Sequence, residues 1–486
     1  TIEPGGILRA INLTNDGTLT QQSGAALLIE ETVEGDNYLI ERITTFDENT
    51  GRYSIMGSPV TVGKFDSLTT SGFLFTYDET ELFHPNGNRG LDRFKAVTGS
   101  DMMVGEGYFS AFTGDENGKM IFKGTPNITD VSVAVTRTDH SVSDVDEEPF
   151  EGFALISNPY TVPLSYSSLF SGGSNADFTG AIYLWAEGTE VEGNRQIEGD
   201  YITVSSMGSS GGSSSNTKTY NGFIGVAQGF FVQKNTVGSG DFDFTAPNVS
   251  ALNTAGKNDD ENFFRSSESV EDFHKVRLFI SSDQHGDHNT LLGFGPAATS
   301  GFDHALDAPL FTFLGSKPKI YTLMNDEKMA IQALPESTEE ISVGIYAPED
   351  GTFTIAFSET HLRLFDQFTG TIYEAGDPIT LTLKKGTYND RFTMVNAITN
   401  TTSALGEQWY SGIDNQQLSI VFNSTNPQQE VSCSILSLSG TVVLQDPHIG
   451  EHNGRTIIDL GGLPPSVYVL SVVRNGKSFT GKIILD

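Results

Sequence analysis

The chain has 486 residues, and 28 Lys+Arg against 62 Asp+Glu leave a net charge of −34. A field of that sign repels nucleic acid and anionic membrane surfaces, and divalent cations are its natural counterions. Cys433 is the only cysteine, which excludes an internal disulfide, and no run approaches the 18 apolar residues of a membrane-spanning helix. Stability must come from buried core.

The 52 Gly, 33 Phe and 15 Tyr, with few helix-period segments, predict an all-β protein of short strands joined by Gly, Asn and Asp turns. Residues 1–40 read as β-solenoid-like rungs. Apolar runs at Ile7-Leu8, Leu19 and Ala25-Ala26-Leu27-Leu28-Ile29 alternate with Asn-Asp-Gly and Ser-Gly corners. Rungs bury their faces only against neighbours, and nothing before Thr1 caps the first. The expectation is the C-terminal part of a longer polypeptide; the alternative is a processed start with a frayed first strand.

Residues 41–250 carry a loose duplication. The run Ile55-Met56-Gly57-Ser58-Pro59-Val60 is echoed by Ile156-Ser157-Asn158-Pro159-Tyr160-Thr161, and Gly105-Glu106-Gly107-Tyr108-Phe109 by Ala227-Gln228-Gly229-Phe230-Phe231. Pro59 and Pro159 should mark strand ends or bends, and Gly107 and Gly229 a bulge or a close backbone approach. The economical architecture is a jelly-roll-like β-sandwich with two related halves. Small polar residues at 208–215 predict an exposed, flexible insertion. Trp185 falls on the core face of a strand.

Residues 251–398 form a second β domain, with strands expected near 275–280, 319–323, 342–346, 352–357 and 379–383. His285-Gly286-Asp287-His288 is the one dense cluster of metal-ligand types. Both imidazoles and Asp287 could reach one cation from it, the bland reading being a polar loop between strands. Asp303 and Asp307 either hold a wide turn through backbone N–H groups or ligate calcium. No cofactor is expected, calcium being the alternative.

Enzyme signatures are sparse. G-x-S-x-G and H-E-x-x-H are missing, and Cys433 sits in an apolar strand pattern as a small buried residue. A glycosidase carboxylate pair cannot be picked out among 62 acids. Trp409-Tyr410 could stack on sugars or staple the junction to the last domain. Asn-x-Ser/Thr matches at Asn12, Asn127, Asn248, Asn400 and Asn423 read as chance. Asp66-Ser67-Leu68 is similar to short sites that Bacteroidota O-glycosylate.

At residues 403–486, strand-like runs at 431–438, 440–444 and 456–460 lead into Leu463-Pro464-Pro465-Ser466-Val467-Tyr468, then a final strand entered through Lys482. Together with Gly440 after Leu438-Ser439, these residues resemble the type A C-terminal sorting domain of the type IX secretion system of Bacteroidota. Ser466 stands where that family usually has Gly, so a tight or strained turn is expected there. The resemblance implies a small Ig-like β-sandwich. It also implies the secretion translocon, its outer-membrane shuttle and a sortase-like peptidase as partners, with cleavage near 400–405 and attachment to surface lipopolysaccharide. The SPV and NPY segments, with Gly301–Ala308, 331–335 and 386–393, resemble a β module of secreted multidomain surface proteins of Bacteroidota.

These readings predict a non-enzymatic structural or adhesive protein, extracellular or on the outer cell surface. The alternatives are a glycan-binding or glycan-degrading module and a self-assembling filament subunit.

Overall fold

The computed structural model describes residues 1–43, 53–61, 63–64, 73–81, 93–97, 101–111, 119–139, 151–186, 191–192, 195–196, 200–211, 220, 222–247, 273–284, 286–311, 317–357, 359, 362–396, 408–414, 417–423, 430–437, 439–450, 455–464, 466–474 and 477–485. The protein is all-β. Its described α-helix is the single turn Tyr166–Phe170, capped by Ser165, whose hydroxyl accepts from the Ser168 amide.

The first residues form a parallel coil. Ile7–Thr14 lies parallel to Ala26–Glu34, with Ile7 opposite Ala26 and, past a bulge, Asn12 opposite Thr32. Leu19–Gln21 lies parallel to Tyr38–Ile43, with Leu19 opposite Tyr38. An offset of about one rung in both strand pairs is the geometry of a solenoid. Apolar residues from both rungs point inward, with Leu27, Ile29 and Tyr38 buried and Leu8, Leu13 and Leu19 packed against them. The second rung is fastened to the rest of the molecule. The Leu27 amide donates to the Thr161 carbonyl at 3.0 Å, and the Thr161 hydroxyl donates back to the Leu27 carbonyl at 2.6 Å.

The duplication read in the sequence reappears as matched register. Tyr108 pairs with Met56 and Phe109 with Ile55 in the first half; Phe230 pairs with Ile156 and Phe231 with Leu155 in the second. The halves then exchange bonds across a pseudo-twofold centre. The Gly57 amide donates to the Ala227 carbonyl at 3.1 Å, and the equivalent Ser157 amide to the Gly105 carbonyl at 2.8 Å. Bridges Met56–Gln228 and Glu106–Ile156 repeat the same symmetry. Glycine is needed where the chains cross. A Cβ on Gly107 would lie 2.6 Å from the Ile156 carbonyl oxygen, and one on Gly229 would lie 2.9 Å from the Met56 nitrogen.

The second half builds a five-stranded sheet in the order Phe153–Ser157, Gly229–Lys234, Phe178–Ala186, Asp200–Ser205, Gly208–Gly211. One face packs on the pair Val131–Arg137 and Gly238–Phe244 around Ile156, Ile182, Phe230 and Phe242. This is the expected sandwich. The other face carries Phe153, Tyr183, Tyr201 and Phe231, which share a core with Phe273, Leu291, Phe311 and Ile331 from the following unit. Phe311 sits among them, its ring 4.3 Å from Phe153, 4.6 Å from Tyr201, 4.9 Å from Phe231 and 5.3 Å from Tyr183.

That following unit is one long curled sheet. Its order runs Thr371–Glu374, Leu362–Asp366, Gly386–Asn396, Glu340–Ala347, Lys319–Met324, Glu327–Leu334, Gly286–Phe294, His274–Ser282, Gly351–Ala356, Ile379–Leu383, with Ala308–Pro309 added beside Glu327–Leu334. Leu364 near one end and Leu381 at the other lie in the same buried cluster, so the sheet closes almost into a barrel. Strand alternation divides its residues: Leu292 and Leu334 face the barrel interior, while Leu291 and Ala333 face the first unit.

The first part of the small-residue tract at 208–215 departs from expectation. Gly208–Gly211 is a strand paired with Asp200–Ser205. Ser210 is buried, and its hydroxyl donates to the carbonyls of Ala330 at 2.7 Å and Asn289 at 3.1 Å. Small residues there let a sheet edge approach the barrel closely, and the hydroxyl satisfies carbonyls that a larger apolar residue would orphan. Residues 212–219 lie outside the described set.

The last residues form two packed sheets. Gln408–Asp414, Gln417–Asn423 and Arg455–Asp459 make one; Val442–Gly450, Glu430–Ser437, Ser466–Arg474 and Lys477–Leu485 make the other. Between them lie Leu418, Ile420, Ile435, Ile458 and Leu470, with Cys433 buried beside them.

Candidate functional site

In the C-terminal sandwich, Leu463, Pro464, Tyr468 and Lys482 lie in or just before the terminal hairpin Ser466–Arg474 and Lys477–Leu485, and Gly440 lies in the turn of a neighbouring strand pair. Gly440 takes a left-handed φ of +82° in the turn between Glu430–Ser437 and Val442–Gly450, and its amide donates to the Ser437 carbonyl at 2.9 Å. Leu463 packs against the sandwich core. Tyr468 is buried, and its hydroxyl reaches back to the Pro464 carbonyl at 2.7 Å, pinning the Leu-Pro turn to the strand that follows. The same device, a tyrosine hydroxyl on upstream backbone, braces immunoglobulin-like sandwiches. Lys482 pairs through its backbone with Val469 on the final strand, which forms one edge of its sheet. Ser466 causes no strain. It opens the strand Ser466–Arg474 on ordinary backbone outside the left-handed region.

The metal-ligand candidates are arranged as structural parts. Asp287 and His288 are neighbours in the strand Gly286–Phe294 and therefore face opposite sides of the sheet. His288 is buried, and its Nδ1 accepts from the Ile320 amide at 3.4 Å. The polar loop expected here is thus mostly strand, because His288 and Thr290 are buried by their neighbours. His285 lies outside the described residues.

Asp303 and Asp307 knot the loop 299–307. Asp303 accepts from the Thr299 amide at 2.6 Å and hydroxyl at 2.9 Å. Asp307 accepts from the Asp303 amide at 2.7 Å through one oxygen and from the Ala333 amide at 2.6 Å through the other. Burial pushes the Asp307 carboxyl up to about 7, against those two amide bonds that favour its charged form. The knot presents Ala305, at φ +63°, to the five-stranded sheet. The Ala305 amide donates to Thr179 at 3.0 Å, and its carbonyl accepts from the Ser206 amide at 2.9 Å and hydroxyl at 2.7 Å. Gly180 leaves room for this approach, since a Cβ there would lie 2.5 Å from the Ala305 Cα. The loop is a clasp between the two units. Among the described residues, no group of three or more His, Cys, Asp or Glu is placed to hold a metal ion.

A cleft of about 410 Å³ lies between the strand Val131–Arg137, the strand Phe153–Ser157 and residues 76–80. Glu79 is buried at its edge, where it accepts from the amides of Thr138 at 3.0 Å and Gly152 at 2.9 Å and from the Thr138 hydroxyl at 2.8 Å. It acts as a bolt joining two strand ends. Sequence reasoning missed it, because a lone Glu after a strand carries no sign of its distant partners. Trp185 lies edge-on to Tyr201 at 5.1 Å and Phe109 at 5.8 Å and packs against the shared aromatic core. The side chains of Trp409 and Tyr410 lie outside the described set.

A family model described as "Domain of unknown function (DUF8693)" matches residues 6–396. The chain belongs to that family. The family domain takes in the solenoid rungs, the duplicated halves and the barrel-like unit, and its match ends on the final residue of Gly386–Asn396. The C-terminal sandwich lies beyond it. Comparison with curated proteins gives no match. No helix among the described residues is long and apolar enough to cross a membrane.

Proposed function

We propose that this is a non-enzymatic structural or adhesive protein of the outer cell surface or extracellular space, exported by the type IX route with residues 403–486 as its address. The observation that carries the reading is the terminal hairpin. Leu463, Pro464 and Tyr468 shape the entry to that hairpin, Gly440 makes the turn of the strand pair beside it, and Lys482 lies on a strand at the sheet edge. Recognition by shape and by added strand pairing suits such an edge. The family domain is then the cargo. Its shared aromatic core and loop clasp suit a stiff displayed body, and its Asp303 and Asp307 carboxylates are engaged with backbone.

The test is a fluorescent reporter directed to the periplasm and fused to residues 403–486 in a Bacteroidota host with an active type IX system. Export to the surface or medium is expected, with loss in a translocon-deficient strain. Removing the final strand, 477–485, should retain the reporter in the periplasm. Retention of the intact fusion, or equal export without the translocon, would refute the address. Turnover of a polysaccharide by residues 1–396 would refute the non-enzymatic reading.

A further inference from the structure

The pair Val131–Arg137 and Gly238–Phe244 treats its two edges differently. Beyond Gly238–Phe244 the ladder is plugged by Asn175, whose side chain accepts from the Asp243 amide at 2.7 Å and donates to the Asp243 carbonyl at 2.9 Å. Val131–Arg137 pairs along its full length with Gly238–Phe244, and among the described residues no strand pairs with its other edge. Alternate residues of an antiparallel strand turn both N–H and C=O away from the partner, so about half of its backbone groups point to that edge. The cleft of about 410 Å³ lies there. Its lining takes in residues 133–136 and 153–156, a consecutive run from each strand. Neighbouring side chains on a strand leave by opposite faces, so a cavity touching consecutive residues runs along the backbone edge and not over one face.

Sequence and charge describe what fits. Val131–Arg137 alternates Val with Ser, Ala and Thr and carries neither acid nor proline, although charge and proline are the usual guards of an open edge. Its one charge, Arg137, is drawn off to the carbonyls of Lys234 and Asn235 and to Glu151. Acids stand instead at the two ends of the cleft. Asp78 lies beside Glu79, which holds the Thr138 amide just past the strand's end. Glu106 follows Gly105, where a Cβ would lie 2.8 Å from Val131 at the strand's start. Asp78 Oδ1 accepts from Thr80 and Glu106 Oε2 from Tyr108, which leaves one oxygen of each carboxylate to meet a cation. Lys95, the base among the described lining residues, is paired with Glu81 at 2.9 Å.

We infer that the cleft is a strand-acceptor site: an extended segment of another protein, β-branched at its centre and basic at both ends, adds to Val131–Arg137 as a further strand. Backbone bonds to the open edge supply affinity, and the carboxylates set register and select basic flanks. The run 133–136 corresponds to about 13 Å of strand, room for about four residues of the guest. A second copy of this chain is a poor guest, since two bodies of charge −34 repel. The site lies within the family domain and is independent of the C-terminal address.

Fluorescein-labelled Lys-Val-Thr-Val-Thr-Val-Lys, titrated with the full chain and followed by anisotropy, tests this. Saturable binding is expected, about tenfold weaker when Glu replaces both Lys, and absent for Lys-Val-Pro-Pro-Pro-Val-Lys, which keeps the charge but lacks the donors. Asp78→Asn with Glu106→Gln keeps the local hydrogen bonds and should weaken the basic peptide about fivefold. Hydrogen exchange locates the contact: outward amides of 131–137 should exchange fast in the chain alone and slowly with the peptide, with 238–244 unchanged. No binding, equal binding of the proline peptide, or protection that spares 131–137 would each overturn the inference. So would an edge already slow in the chain alone, which would mean that a segment of this chain or a second copy fills it.

Discussion

The duplicated halves share a backbone plan yet live in different surroundings, and the difference shows what selects each residue. At the crossing corner the chain turns left-handed in both, at Gly105 with φ +85° and at Ala227 with φ +56°. A Cβ on Gly105 would lie 2.7 Å from Val133 and 2.8 Å from Val131, whereas the Ala227 side chain is accommodated in the core. Neighbours, and not the turn alone, decide between glycine and alanine. The halves also differ in bracing. Phe231 is fully buried against Phe311 of the barrel-like unit, while its counterpart Phe109 is half-buried against Phe94 and Trp185.

The sharpest way to expose that difference is to remove each ring. Phe231→Ala should cost about 4 kcal/mol by denaturant midpoint, with Phe109→Ala clearly milder because less surface leaves water there. Equal losses would mean that the barrel does not brace the second half. Next come the crossing glycines. Gly107→Ala and Gly229→Ala should each cost about 3 kcal/mol, since the added methyl meets backbone that cannot yield; tolerance of either would break the symmetry of the crossing.

The equivalent turn residues Ser58 and Asn158 should separate further. Asn158 donates to the carbonyls of Val162 at 2.9 Å, Ile224 at 3.3 Å and Gly225 at 2.9 Å, whereas the Ser58 hydroxyl bonds within its own turn, to Val60. Asn158→Ala should therefore destabilise by about 2 kcal/mol, and Ser58→Ala by about 1 kcal/mol. Smallest is Ala227→Gly. Relief of left-handed strain, offset by the entropy of a freer unfolded chain, should leave a change below about 1 kcal/mol. A large loss would show that the Ala227 methyl is needed for packing.

Local pattern made much of the fold legible. The strand expected at 379–383 is found at those bounds, and those at 275–280 and 342–346 lengthen only at their ends. Rung spacing and the paired SPV and NPY segments were readable because repeated geometry repeats its apolar positions. The segment 208–211 was misread because composition reports what a segment lacks. It cannot report that Ser210 meets carbonyls some eighty and 120 residues away. In the His285–His288 cluster, nearness in sequence offered a common ligand or a polar loop; Asp287 and His288 lie on extended backbone, which turns adjacent side chains apart, and His285 lies outside the described residues. Asp303 and Asp307 accept from backbone amides of their turn, as one of their two readings expected. What the turn is for, the docking of Ala305 beside Gly180, depended on a contact across the chain that no local pattern carries.

Trp185 has a practical consequence. It is one of two tryptophans in the chain, and it bridges the halves by touching Phe109 of the first and Tyr201 of the second. With Trp409 changed to Phe, its emission becomes an optical gauge of that seam. A red shift that precedes loss of β circular dichroism would time the parting of the halves separately from the melting of their sheets.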